Sequence, residues 1–204
     1  MQVELIFSIA VLVMSVVIHE VAHGAVAGWL GDPTARLAGR LTLNPLKHLD
    51  LFGSIILPGL MAVAGGPVFG WAKPVPYNPH NIRARYGEAL VAAAGPLSNI
   101  FLAIIFALFL RSGFAVNWFG LPGAELIIGI IFINIVLAIF NLIPIPPLDG
   151  SKIIFNFLPY RLRQVEEWFY QYQLFFLIFV VFFAGAILGP IANLIFRLLT
   201  GFAI

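Results

Sequence analysis

The sequence predicts an all-α polytopic membrane protein with about four to six transmembrane helices, a re-entrant hairpin, and a short β-like segment after the first helix. Three observations predict it. Of 204 residues, 61% are hydrophobic and only 10% charged, with a mean hydropathy of +1.02. A soluble domain is about half apolar and a quarter charged. Uncharged runs long enough to cross about 30 Å of hydrocarbon recur along the chain, and basic residues gather in a few of the connections between them. A water-soluble enzyme, a nucleic-acid binder and a disordered linker are excluded. The formal net charge of +2 gives no reason to expect a polyanionic partner. With no cysteine, disulfides and thiolate zinc sites are excluded as well. No internal repeat divides the chain, so residues 1–204 read as one transmembrane domain.

Residues 3–30 form the first span. The stretch is not a cleavable signal peptide, because no basic region precedes it and it carries His19, Glu20 and His23. Residues 34–43 alternate roughly between apolar and polar, which is a strand-like pattern, although an irregular interfacial loop fits equally well. Residues 51–72 are apolar but interrupted by Gly53, Pro58, Gly59, Gly65, Gly66 and Pro67. Residues 89–110 and 126–148 are uncharged spans, the second ending in Pro144-Ile145-Pro146-Pro147. Residues 168–196 carry no charge, and Gly189-Pro190 is expected to split them. Too few residues follow Pro190 to predict a further crossing. Trp29, Trp118 and Trp168 sit where an interfacial aromatic belt would place them.

Charge placement predicts the orientation. Residues 31–88 hold Arg36, Arg40, Lys47, Lys73, Arg83 and Arg85, residues 111–122 hold only Arg111, and 150–169 hold Lys152, Arg161 and Arg163. The positive-inside rule then puts the N-terminus outside, with 31–88 and 150–169 inside. Both basic flanks of 51–72 can share a side only if that segment enters and leaves on the same face. Its exposed backbone would then need protein cover.

The strongest local signal is His19-Glu20-Val21-Ala22-His23. Histidines at i and i+4 share one helical face and can share one metal ion, and Glu20 beside them can reach water at that ion. Chance would produce the pattern roughly 0.002 times per chain of this composition. An ionisable group in lipid costs roughly 2.5 kcal/mol or more, so three on one helix need partners, and a metal satisfies all three. A tetrahedral ion needs a third protein ligand, with the fourth position open for water. Asp32, Asp50, His48, His80 and Glu88 fall in the polar inner stretch or at its end, where solvated or capping roles are expected. Glu4, Glu125, Glu166 and Glu167 fall near span ends. Asp149 follows the fourth span, at the depth of the two histidines. It reads either as the third ligand or as the cap of a helix starting at Gly150.

These segments together resemble the site-2 protease family of intramembrane zinc metalloproteases. The resemblance is carried by the histidine motif, by Gly95-Pro-Leu-Ser-Asn99, and by Asn141-Leu-Ile-Pro-Ile-Pro-Pro-Leu-Asp149-Gly150. The stretch Gly70-Trp-Ala-Lys-Pro-Val-Pro is similar to that of compact members without a PDZ or CBS domain. The resemblance implies one Zn2+ per chain held by His19, His23 and Asp149, with Glu20 as the catalytic base. It also implies that Asn141 holds substrate backbone or polarises the scissile carbonyl. Asn99 matches a family motif and is the second substrate-binding candidate, and for both asparagines an inter-helix hydrogen bond is the alternative. Residues 34–43 would then pair, as an edge strand, with unwound substrate. The implied partners are a transmembrane protein or peptide substrate and the lipid bilayer of a prokaryotic cell membrane. The implied reaction serves regulated intramembrane proteolysis or signal-peptide removal, with the active site towards the cytoplasm. Water would enter from the inner side past residues 31–50 and 144–152, with 51–72 and the last span as candidate gates. Two other classes fit a membrane metal site. A zinc-binding protein without protease activity would have no need of Glu20. A metal transporter would be expected to show more than one ligand cluster and inverted repeats.

Overall fold

The computed structural model describes residues 2–63, 65 and 70–202, and among these residues all regular structure is helical. Helix α1 (Gln2–Trp29) runs 28 residues, about 42 Å at 1.5 Å per residue. Its inward face is a stripe at steps of four: Ser15, His19, His23 and Ala27 are buried, while Leu5, Ile9 and Leu12 point outward. Large apolar side chains lie on the outside and small or polar ones inside. That suits helices packed in lipid, where apolar surface gains nothing by hiding and small residues let backbones approach.

Helix α4 (Gly87–Arg111) follows the same logic. Ala92, Pro96, Asn99, Ala103 and Ala107 are buried along one face, and Leu97, Phe101 and Leu108 are exposed. It packs against α1, against α5 (Phe114–Asn141), against α6 (Asp149–Phe157), and against α8 (Gln173–Thr200). A core formed by Ala103 and Ala107 of α4, Ile127, Ile131 and Ile135 of α5, and Ala192 and Phe196 of α8 fills the far end of the bundle. Helix α5 breaks at Gly120, whose φ of 68° lies in the left-handed region, so the uninterrupted span runs over 121–141, about 31 Å.

Three helices, α1, α4 and α5, are long and apolar enough to cross a membrane, and α8 makes a fourth if its two halves count as one span. Three or four spans among the described residues fall at or below the lower end of the expected four to six. The last span starts later than residue 168, because Arg163–Gln171 forms a separate amphipathic helix, α7, ended at Tyr172. Helix α8 bends by 62° between Phe183 and Gly185, not at Gly189-Pro190. Proline removes the bond to the carbonyl four residues earlier, so the distortion falls in the turns before Pro190. The fourth span also ends earlier than expected. The helix stops at Asn141, and 142–148 make an irregular proline-rich link to α6.

The strand-like reading of 34–43 is corrected. Residues Thr34–Leu37 form a short helix, α2. Leu37 N donates to Pro33 O and Ala38 N to Thr34 O, so local bonds use the donors an edge strand would leave free. Gly39, at φ 62°, then turns the chain. Asp32 fixes this turn. Its Oδ1 accepts from Asn81 Nδ2 at 2.8 Å and from Thr34 N, and its Oδ2 accepts from Asn78 N at 2.7 Å. Burial alone would raise its pKa, but the donors from Asn81, Thr34 and Asn78 outweigh burial and hold it below the ordinary carboxylate value.

Leu51–Val63 is a helix, π-helical as far as Ile56 and α-helical from Leu57 as α3. Its 13 residues span about 20 Å, too short to cross the hydrocarbon. The chain then comes back to where it left. Trp71 N donates to Gly53 O at 3.1 Å, and Ser54 Oγ donates to Trp71 O at 2.8 Å. The Trp71 indole lies on Gly53, where a Cβ would collide with it. Residues 64 and 66–69 of the expected hairpin lie outside the described residues.

Candidate metal centre

Helices α1 and α4 run antiparallel, and their contact places the two histidines. His23 Nδ1 donates to Val91 O at 2.6 Å, and His19 Nδ1 donates to Asn99 Oδ1 at 2.6 Å. A backbone carbonyl can only accept, so the Nδ1 of His23 must carry a proton. The Nε2 atoms of both rings then point at the start of α6, where Asp149 Oδ2 lies 3.1 Å from each. The rings stand edge to face, with centroids 4.7 Å apart.

With their Nδ1 atoms engaged by Asn99 and Val91, both rings turn Nε2 to the Asp149 carboxylate; without a proton between them these three atoms are all acceptors, which is the set a cation needs. All three residues are buried, and their candidate ligand atoms lie within 4.8 Å of one another. Tetrahedral zinc with ligand bonds near 2.0–2.1 Å separates its ligand atoms by about 3.3 Å, close to the spacing seen. Gly95 on α4 forms the wall behind the trio. A Cβ there would lie 2.5 Å from His19 Nε2 and would also collide with His23 Nε2. The donor set and this cradle fit zinc.

Asp149 is not the cap of α6. Leu148 occupies the N-cap position, and no side chain caps that end. The Asp149 carboxylate turns instead to the histidines, with Lys152 Nζ 4.0 Å from its other oxygen. Gly150 admits this geometry, because a Cβ there would strike the Leu142 carbonyl.

A cavity of about 690 Å³ opens onto the trio, lined also by Glu20, Trp71, Val75, Tyr77, Asn141 and Tyr170. Glu20 is held at its edge, where its Oε2 accepts from Val75 N at 2.8 Å. Val75 belongs to an extended strap, 70–78, that is itself tied down. Arg40 donates to Lys47 O, Lys73 O and Pro74 O, and Lys73 N donates to His48 O at 2.8 Å. Buried His48, expected as solvated or capping, thus braces the strap, its Nε2 donating to Thr42 O. Burial, and then the charge of Glu88, push the Tyr77 phenol up to about 12, so its hydroxyl stays protonated beside the site.

Asn141 lines the cavity, with its Nδ2 donating to Leu137 O one turn back. Asn99 does not. It is 0% exposed and sits behind His19, bonded on its other side to Asn134. The substrate contact expected of Asn99 has no surface to act through, and the inter-helix bond is what the structure has. Asp50, His80, Glu88, Glu166 and Glu167 belong neither to the trio nor to the lining of its cavity. Sequence reasoning passed over Asn134, Gly95 as a cradle, Val75 and Tyr77. Asn134 alone carried a usable signal, as a polar residue deep in an uncharged span.

The sequence matches the description of peptidase family M50 over residues 7–119 and 123–184. YwhC of Bacillus subtilis, provisionally named a zinc metalloprotease, is 40% identical over 195 residues, covering 92% of this chain and 86% of its own length. Rip2 of Mycolicibacterium smegmatis, named in the same provisional way, is 35% identical over 149 residues, 71% of this chain and 54% of its own length. Rip2 of Mycobacterium tuberculosis H37Rv is 30% identical over 185 residues, 89% of this chain and 68% of its own length. The chain thus spans about half the length of the Mycolicibacterium relative it matches. No solved structure matches it at a significant level.

Proposed function

This chain belongs to peptidase family M50 and is by that membership an intramembrane zinc protease, and we propose that it is a site-2-type endopeptidase cutting transmembrane segments of other membrane proteins. The observation that carries this reading is the convergence of His19 Nε2, His23 Nε2 and Asp149 Oδ2 on one buried point at the wall of a cavity shared with Glu20.

His19, His23 and Asp149 would hold the zinc. When bound, zinc supplies a Lewis acid that polarises a peptide carbonyl and lowers the pKa of water. Glu20 is the general base. With Oε2 fixed by Val75 N, its Oε1 takes the proton of the attacking water and then delivers it to the leaving nitrogen. Asn141, on the cavity wall, holds the backbone of the unwound substrate. The substrate helix must open first, because its carbonyls are engaged in intrahelical bonds. Helix-breaking residues near the scissile bond therefore favour cleavage. The N-terminus lies outside and the site opens towards the cytoplasm. Residues 51–72 are re-entrant, a reading supported by six basic residues between 31 and 88 and by the bond from Trp71 N back to Gly53 O.

Glu20→Gln is expected to lower cleavage of a model transmembrane substrate by about 10²- to 10⁴-fold while zinc stoichiometry stays at wild-type level. Full activity in that variant would exclude Glu20 as the base. Asp149→Ala is expected to lower zinc content, and an unchanged content would exclude Asp149 as a ligand.

A further inference from the structure

We infer that Asn134 is a positioning residue for the metal centre: it fixes which end of the Asn99 amide faces His19. The inference rests on the reading of His19 as a ligand. Asn134 touches neither the cavity nor any ligand and is 0% exposed on α5. Its Nδ2 donates to Ile130 O at 2.9 Å, and its Oδ1 accepts from Asn99 Nδ2 at 3.0 Å. Asn99 Oδ1 then accepts from His19 Nδ1 at 2.6 Å.

The chain has a direction, and the Ile130 carbonyl is its main anchor. The Ile130 carbonyl can only accept, so Asn134 must turn its Nδ2 towards it and present Oδ1 to Asn99. Asn99 must answer with Nδ2, which leaves Oδ1 for His19. His19 then carries its proton on Nδ1 and turns the Nε2 lone pair to Asp149. A reversed Asn99 would donate to Nδ1, move the ring proton to Nε2 and remove the ligand. His23 needs no such relay, because the Val91 carbonyl fixes its tautomer directly. A second acceptor helps Asn99, since its Nδ2 lies 3.4 Å from Ser15 O. That bond is long and holds the amide only partly. The effect of losing Asn134 is therefore expected at the low end of the 10- to 100-fold range typical of groups that orient metal ligands.

Simple helix-to-helix adhesion between α4 and α5 would also make Asn134 matter, and a double substitution separates the two. An aspartate at position 99 has no wrong end, because either oxygen accepts from His19. An aspartate at position 134, neutral in this buried site, keeps the same direction, with its hydroxyl donating to Ile130 O and its carbonyl accepting from Asn99. Zinc affinity is measured on the detergent-purified full chain by competition with a chromophoric chelator, and folding by circular dichroism. Asn134→Leu is expected to weaken zinc about tenfold, Asn134→Asp to stay within about twofold of wild type, and Asn134→Leu to cost nothing further in an Asn99→Asp background. If Asn134→Leu does not fold, Asn134→Ala is read with the same expectations. Unchanged affinity in the folded single variant, or an equal loss in both backgrounds, would overturn the inference. Absence of zinc binding in the wild-type chain would instead remove the ligand reading beneath it.

Discussion

At the scale of residues, the site depends on which atom of each ring carries the proton. Val91 O and Asn99 Oδ1 take the Nδ1 protons of His23 and His19, so both lone pairs meet Asp149 across a gap that Gly95 keeps open. Gly95→Ala is expected to abolish stoichiometric zinc binding, because its Cβ would sit 2.5 Å from His19 Nε2 and would also collide with His23 Nε2. Gly129→Ala on α5, with nothing within 4 Å, is expected to leave zinc content unchanged. Equal zinc contents in the two variants would show that the cradle does not shape the site. His19, Glu20 and His23 were legible from sequence because helical periodicity alone puts i and i+4 together. Asp149 was only half legible. Its carboxylate meets the histidines across 130 residues of chain, and local pattern cannot tell a helix-starting aspartate that caps from one that turns away.

At the scale of elements, the long apolar runs became helices much as expected, since nothing in lipid competes with intrahelical bonds. Within those runs an end, a start and a bend were misplaced, at Asn141, at Tyr172 and before Gly185; the change of structure type falls in the polar connections, where alternatives are close in energy. Alternation over 34–43 suggested a strand, but Asp32 accepting from Thr34 N starts a helical turn there, and no neighbouring strand exists among the described residues to reward the extended form. What these connections build instead is the strap over 70–78, anchored by Arg40 and holding Glu20. Arg40→Met leaves three carbonyls without their charged donor. It is expected to lower kcat on the order of 10- to 100-fold through misplacement of the base, with zinc content unchanged. Parallel assays of turnover and zinc content check this, and a loss of zinc equal to the loss of turnover would place Arg40 in the metal cradle rather than the strap.

At the scale of the whole molecule, α4 is the element the bundle is built around. It contacts α1, α5, α6 and α8, and its small residues let the histidine helix and the Asp149 helix approach from two sides. Which helices meet in this way is set by packing over the whole chain, so the sequence alone could not supply it. Orientation in the bilayer is tested by single cysteines placed at positions 75–80 in this cysteine-free chain. An impermeant thiol reagent is expected to label them only from the side opposite the N-terminus, and labelling from the N-terminal side would exclude the re-entrant segment. One zinc ion, held by His19, His23 and Asp149, is proposed to drive peptide hydrolysis. Incubating the detergent-purified chain with a model transmembrane substrate before chelation, after chelation and after adding zinc back tests this most directly. Cleavage is expected to be lost on chelation and restored by about one equivalent of zinc per chain. Cleavage persisting in the zinc-stripped protein would contradict the proposal.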